Sequence, residues 1–402
     1  MNRPTSLMLN FGHALDHMFL LIFATAVTSI ALEFGFERWE DLMPYSAGAF
    51  LLFGIGSVPS GRLGDLWGRR KMMIIFFAGM GASALLCALV QNAWQMALAL
   101  CLLGAFASIY HPVGIPMLLS GAKKPGLTIG VNGFAGNLGI AFAALLTGFL
   151  VKYVGWRAAF AVPGLLCMAC ALVFAFVAPH ESEPPSKSLR KATYPLEPAA
   201  LARLFLVMTF AAISGSLLFN FTTNGNGQLL RERFVGLVED PAQLGMLLAL
   251  VYAIASFAQV IVGRLIDRVP MKRLYLGVVL AQIPLFLLAS TAQGWWLFWL
   301  LTGFMIMIFG AIPFTDAMVV RFVDDSMRSR VSGMRIAVSF GISSLAVYLL
   351  GPAVKAAGFG TLLLVMGGIA ACTAAFVLML PDTSSQNSSG SVPGQPKVGV
   401  GG

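Results

Sequence analysis

Twelve apolar runs of roughly bilayer-spanning length constrain this chain more than any other feature. They lie near 7–32, 44–61, 72–91, 94–119, 126–151, 157–178, 202–229, 243–263, 273–291, 295–319, 331–353 and 359–380, between charged or Gly/Pro-rich breaks. A helix of about 20 apolar residues crosses a bilayer, whereas barrel strands need only about ten. Because hydrocarbon supplies no hydrogen-bond partners, the expectation is an all-α membrane protein with twelve transmembrane helices. Only 11% of the residues are charged, against about a quarter in soluble domains, so the chain's 402 residues do not read as three soluble domains. The first run follows a short polar head with Arg3, lacks a small-residue cleavage site and leads into further spans, so it reads as a span and not a removable signal. All five cysteines sit in apolar runs; Cys167 and Cys170 share a helical face in mid-span, where small packing residues are the default over redox or metal use.

The spans are duplicated. Gly61-Arg62-Leu63-Gly64-Asp65 at the end of the second run returns as Gly263-Arg264-Leu265-Ile266-Asp267, 202 residues later and at the end of the eighth. Duplication of this kind is a hallmark of secondary transporters. It predicts two pseudo-symmetric six-helix bundles, residues 1–178 and 201–380. Between them lies a flexible linker, 179–200, with Pro184, Pro185, Pro195 and Pro198, and after them a Ser/Gly/Pro-rich tail, 381–402, expected to be disordered. With the amino terminus cytoplasmic, 20 of the 26 lysines and arginines fall on the cytoplasmic side. The positive-inside rule therefore puts both termini in the cytoplasm. The net charge of +9 is explained by this topology and gives no reason to expect nucleic acid.

Gly61, Asp65, Gly68, Arg69 and Arg70 match the G-x-L-x-D-x-x-G-R-R loop signature of the major facilitator superfamily, which the chain resembles to about residue 380. It departs from the pattern at Leu66, where a basic residue is usual, and in the second copy at Pro270. The resemblance implies the major facilitator fold, a multi-pass protein of a bacterial cytoplasmic (inner) membrane, and function as a monomer. It also implies that this cluster, with Asp267, latches the two halves in an outward-facing state. Asp65 is expected to face the amino terminus of the eleventh span, where free N–H groups carry partial positive charge. A narrower resemblance is to the fosmidomycin-resistance branch, proton-driven exporters of small compounds. It rests on His13-Ala14-Leu15-Asp16, on Tyr110-His111-Pro112, and on Asn132-Gly133-Phe134-Ala135-Gly136-Asn137-Leu138-Gly139. That branch often carries an acid just after His-Pro, where this chain has Val113.

Ionisable residues in a membrane core are costly and so are functional candidates. His13, Asp16 and His17 stand at i, i+3 and i+4 on one face of the first span, at a depth comparable to that of His111 in the fourth. Asp16 is the expected proton-coupling site, with His13 and His111 as partners; a static salt bridge holding the first span is the plainer alternative. His17, Tyr110, Asn137, Asn220, Asn224 and Gln259 are the candidates for substrate contact, with Gln282 a weaker one, although neutral amides also serve as interhelical glue. Asp316 in the tenth span is expected to close a gate with a cytoplasmic arginine, and Arg335 either pairs with it or meets an anionic substrate. Pro313 occupies the repeat position of His111, so both segments are expected to be broken. Histidines beside a carboxylate leave a transition-metal cargo as a lesser alternative.

No Gly-rich phosphate loop with lysine and no nucleophile with an ordered base is present, so an enzyme or a nucleotide-driven pump is not expected, nor is any cofactor. What remains is a proton-coupled transporter of a small molecule working by alternating access. Export of a small organic compound is expected, with import of a polar metabolite or organic anion as the alternative. The apparent lack of a basic residue in mid-cavity favours neutral or cationic cargo.

Overall fold

The computed structural model describes residues 2–120, 122, 125–180, 198–266, 268–322 and 325–380. It opens with α1 (Arg3–Glu33), then a short α2 (Trp39–Leu42) that continues through a 3-10 turn into α3 (Ala47–Trp67). After α4 (Arg69–Leu89) and α5 (Ala93–Ala107), a π-helical turn at Tyr110–Gly114 leads into α6 (Ile115–Leu119), α7 (Pro125–Tyr153) and α8 (Trp156–Val177). The second half holds α9 (Pro198–Arg233), α10 (Pro241–Ile266), α11 (Met271–Ala289), α12 (Gly294–Phe322) and α13 (Asp325–Leu378). No strand occurs among the described residues. Of the expected linker only Pro179, His180 and the start of α9 at Pro198, a residue well suited to a first helical turn, are described, and the expected tail lies outside the described residues.

Among the described residues, eleven stretches are long and apolar enough to cross a membrane. The last is two spans in one: α13 has 54 residues, about 80 Å of helix, more than twice a bilayer core. It breaks at Gly358, whose φ of 74° and ψ of 166° only glycine adopts without strain, and the two arms complete the expected twelve spans. The starts of helices are capped where polar residues are available. Asn2 accepts from the Thr5 N–H at 2.9 Å, Asn92 from Gln95 at 3.0 Å, and Asp240 from Ala242 and Gln243 at 3.0 and 3.1 Å.

In the first bundle α1 packs along α7 and α4 along α8; in the second α13 packs against α9 and α11, and α10 against α12. The bundles meet along two seams, α7 with α10 and α3 with α13. Lipid tails are as apolar as leucine, so association depends on close van der Waals packing by small residues. Thus a Cβ on Gly139 of α7 would overlap the Ala14 carbonyl oxygen of α1, and one on Gly245 of α10 would lie 2.5 Å from that of Ala144. Polar contacts tie the bundles together at the acidic end. Lys355 reaches Asp41 at 2.6 Å, Lys152 reaches Asp240 at 2.5 Å, and Thr28 donates to Gln228 at 3.0 Å. Trp39 stacks on Phe359 beside them.

Two expectations change. The Gly61–Trp67 stretch is helical, and the turn comes at Gly68, with φ of 89° and ψ of 141°. Arg70 donates to the carbonyls of Ala175 and Ala178, the otherwise unsatisfied end of α8. Finally, α12 runs unbroken through Pro313, so only the first repeat is interrupted.

Two outcomes follow for stability. Gly139→Ala should destabilise by about 1–3 kcal/mol through overpacking, read as a lower melting temperature in detergent. Gly277→Ala, where a Cβ meets nothing within 4 Å, should be neutral. The Lys152 ammonium and the N–H groups of Gln243 and Ala242 hold the Asp240 carboxyl below the usual carboxylate range. Its contribution is therefore complete above about pH 4 and is lost only as pH falls through the lowered value. Asp240→Asn should widen the Lys152–Asp240 end at neutral pH, read as a longer distance between spin labels placed across it.

Candidate functional site: a buried histidine cluster beside a central cavity

The His-Pro pair shapes the site. Pro112 has no N–H to donate and its ring would strike the preceding turn, so the helix widens locally. The Ile115 N–H bonds to Tyr110 O, five residues back, which closes the π turn. This wider turn is accommodated by α3, where a Cβ on Gly64 would stand 2.9 Å from Val113 and one on Gly61 3.3 Å from Pro112. Gly61, a signature residue, and its neighbour Gly64 therefore seat the segment that carries His111.

Tyr110 and Asn132 fasten the turn to α1 and α7. The Tyr110 hydroxyl donates to Leu9 O at 2.7 Å and accepts from Asn132 Nδ2 at 2.7 Å, while Nδ2 also reaches Asn10 Oδ1 at 3.0 Å. The backbone carbonyl of Asn132 lies 2.8 Å from His13 Nδ1. Since a carbonyl only accepts, Nδ1 carries the proton and Nε2 offers a lone pair. His17 Nε2 sits 3.1 Å from that lone pair and donates to it. Stacking with Tyr110, at 4.8 Å and 11° between planes, fixes the His13 ring. On the other side Gly136 leaves room, a Cβ there falling 2.7 Å from His13 Cε1.

Asp16 is 0% exposed, and neither carboxylate oxygen has a hydrogen-bond partner among the described residues. Its Oδ2 lies 3.8 Å from His111 Nε2, an ion-pair distance beyond hydrogen-bond length. The ligating nitrogens of His13, His17 and His111 lie within 4.8 Å of one another, a spacing that would admit a metal ion. Both His13 nitrogens are already engaged, by Asn132 O and His17, while His111 meets the other two rings edge-on or tilted and its Nε2 has no hydrogen-bond partner among the described residues.

A cavity of about 240 Å³ opens between the bundles. His17 and His111 face it from the first half; Asn220, Gln282, Thr315, Arg335 and Ser343 face it from the second, with Phe53, Phe219 and Phe340 as apolar walls. Asn220 Nδ2 donates to Ser343 Oγ at 2.8 Å, and Arg335 Nη1 donates to Thr315 Oγ1 at 2.8 Å. Ligand pockets of about 300–1,000 Å³ are the norm, so the space suits a small molecule.

The structure thus brings together Asp16, His13, His17 and His111, with His17 and His111 standing between the buried pair and the cavity. Several expected residues take other places. Tyr110 is an internal brace. Asn137 is buried on α7 away from the main cavity lining. Asn224 bonds back to Asn220 O at 3.1 Å beside a smaller cavity near Tyr252. Gln259 lies in the α7–α10 seam, near Gly133. Arg335 is on the cavity wall, which corrects the expectation of a cavity without a basic residue. Asp65 is exposed at the end of α3 and forms no latch among the described residues, and Arg69 begins α4. Asp267 and the side chains of Asp316 and Arg321 lie outside the described residues. Sequence reasoning missed Asn132, Thr315 and Ser343, whose partners are distant in the chain or are themselves small polar residues.

A family model described as Major Facilitator Superfamily matches residues 9–236 and 235–398. Among curated relatives, a "Probable actinorhodin transporter" of Streptomyces coelicolor is 28% identical over 29% of this chain and 21% of its own length. "Multidrug resistance protein MdtG" of Dickeya zeae is 33% identical over 34% of this chain and 33% of its own. A "Gallate transporter" of Pseudomonas putida is 25% identical over 44% and 39%. The matches thus span about a fifth to two fifths of these relatives. The fold is similar to that of a bacterial homolog of the human lysosomal transporter Spinster, solved in an inward-facing and occupied conformation, with a TM-score of 0.70 and 15% identity over 94% of this chain and 95% of that one. The paired family match across both halves, on a fold of twelve spans around a central cavity, carries the conclusion: this chain belongs to the major facilitator superfamily, a family of membrane transporters and not of enzymes.

Proposed function

We propose that the chain is a proton-coupled secondary transporter that works by alternating access and exports a small organic compound. The observation that carries this reading is the Asp16–His111 pair, with Asp16 wholly buried and His111 facing the cavity. Removing a lone charge from water costs several kcal/mol, so these groups carry charge together or not at all. A proton arriving through the cavity reaches His111 first and Asp16 behind it. His13, His17 and Tyr110 face the pair from α1 and the π turn, and Cys167 lies nearby on α8. Arg335 faces His111 from α13. Substrate in the cavity and charge on this pair then compete to set which arrangement of the two bundles is favoured.

The positive-inside count makes the Lys355–Asp41 end extracellular. The contacts there close the outer entrance, and Asp65 is exposed at the opposite end, which supports an inward-facing state. Export is supported by the likeness to a multidrug resistance protein of Dickeya zeae. Import of a polar metabolite or organic anion is the second reading, favoured by the position of Arg335 on the cavity wall.

The test is a growth-inhibition panel in an efflux-deficient bacterial host, including fosmidomycin, lipophilic cations, organic acids and copper or iron salts. The native chain should raise resistance to at least one compound, and Asp16→Asn should return it to the vector level at equal membrane abundance. Resistance that survives in the variant would remove proton coupling from Asp16. Sensitisation by the native chain would reverse the direction.

A further inference from the structure

We propose that His13, His17 and His111 form a site for one divalent transition-metal ion of the zinc or nickel kind, entered from the cavity and held within the first bundle rather than carried as cargo. The site stands whether or not Asp16 couples protons, and in whichever direction an organic cargo moves.

The ligand set is oriented as a metal site requires. His13 Nδ1 donates to the Asn132 carbonyl at 2.8 Å, which leaves Nε2 as the nitrogen with a lone pair. A backbone carbonyl on the far nitrogen is a usual outer partner of a metal-bound histidine, because it fixes both tautomer and ring. His17 Nε2 stands 3.1 Å from His13 Nε2. Two nitrogens bound to one tetrahedral zinc, each at about 2.0–2.1 Å, lie about 3.3–3.4 Å apart. The pair is therefore close to ligand spacing, and an ion would take the place of the proton it shares. One ligand nitrogen from each of the three rings lies within 4.8 Å of the others. Closing the third onto the ion needs a movement of at most about 1.5 Å, within reach of a side-chain rotation. His111 Nε2 is buried and has no hydrogen-bond partner among the described residues, so a turn of its ring breaks no such bond at that atom.

Charge and access agree with the ligands. Asp16 is wholly buried with no hydrogen bond to either oxygen among the described residues, and Oδ2 lies 3.8 Å from His111 Nε2. A cation at the trio would give this carboxyl a compensating charge. Arg335 faces His111 from α13, and its like charge disfavours an ion held by charge alone. Magnesium and calcium, which prefer oxygen ligands, are therefore excluded, whereas imidazole nitrogens suit zinc, nickel, copper and iron. His17 and His111 line the cavity and give the ion a path, with His13 buried behind them. All three ligands and the Asn132 carbonyl belong to the first bundle, on α1, the π turn and α7. Transporter substrate sites lie at the interface between repeats. A site made by one repeat keeps its ligands together when the bundles move, so the ion stays and ties α1 to the π turn.

The experiment is calorimetric titration of the purified full chain in detergent, on an affinity tag free of histidine, with zinc chloride, nickel chloride and magnesium chloride. Zinc and nickel should bind at about one ion per chain, and magnesium should not bind. His17→Ala should weaken zinc by about a hundredfold or more, since even outer partners of a ligand are worth about 10–100-fold. His111→Ala, also at the cavity wall, should do the same and serves if His17→Ala is not monodisperse. His180, the fourth and last histidine, is exposed beyond α8, and His180→Ala should leave binding unchanged. X-ray absorption at the zinc edge should show three imidazole nitrogens at about 2.0–2.1 Å and no sulfur. In reconstituted vesicles, zinc should not accumulate beyond the amount the chain itself binds. Absence of stoichiometric binding, His17→Ala and His111→Ala chains that bind as the native one does, or a sulfur ligand, which would move the ion to a cysteine, would overturn the site. Accumulation of zinc inside the vesicles would overturn its retention and make the ion a cargo.

Discussion

Hydrocarbon offers no hydrogen-bond partner, and this constraint organises the whole molecule. Every backbone donor must be satisfied within a helix, and every polar side chain must turn inward or reach an end. The first requirement makes twelve helices out of the apolar runs. The second collects His13, Asp16, His17, Tyr110, His111 and Asn132 in one place, because each would otherwise face lipid unpaired. The cluster is held by the Asn132 carbonyl and the Tyr110 hydroxyl, two atoms that join α1, the π turn and α7.

Small residues make that junction possible. Gly136 and Gly139 bring α7 against α1, and Gly61 and Gly64 bring α3 against the π turn. Gly61, a signature residue, and Gly64 therefore have a packing role in α3 beside the latch that the family resemblance implies. They hold His111 at the cavity, while Asp65 at the end of the same helix stays exposed. A change at either glycine would be felt at His111.

The two halves contribute different chemistry to the cavity. The first supplies imidazoles backed by a buried carboxylate; the second supplies a permanent cation, amides and hydroxyls. The repeat is old enough in form to preserve the helices and yet its polar content has diverged. His111 has Pro313 as its counterpart, and the π turn has an unbroken helix. This division separates groups able to change their charge from a group whose charge is fixed.

The sequence by itself determined the class of fold, the number of spans, the duplication and the candidate proton site, because these depend on local composition and on helical spacing. Three of the cluster's residues lie on one face of α1 at i, i+3 and i+4, so their proximity was legible without a structure. Only the tertiary structure decided the rest. His13 meets a carbonyl 119 residues away, and nothing in the local pattern of α7 marks Asn132 rather than Asn137 as its partner. Arg70 matches a loop signature, and its partners, the open carbonyls at the end of α8, lie more than 100 residues away. Arg335 reads as a residue near a helix start, and it becomes a cavity residue because α13 packs with that face toward α12 and Thr315. Partners set by helix rotation and crossing leave no local periodicity, and so they remain invisible until the helices are packed.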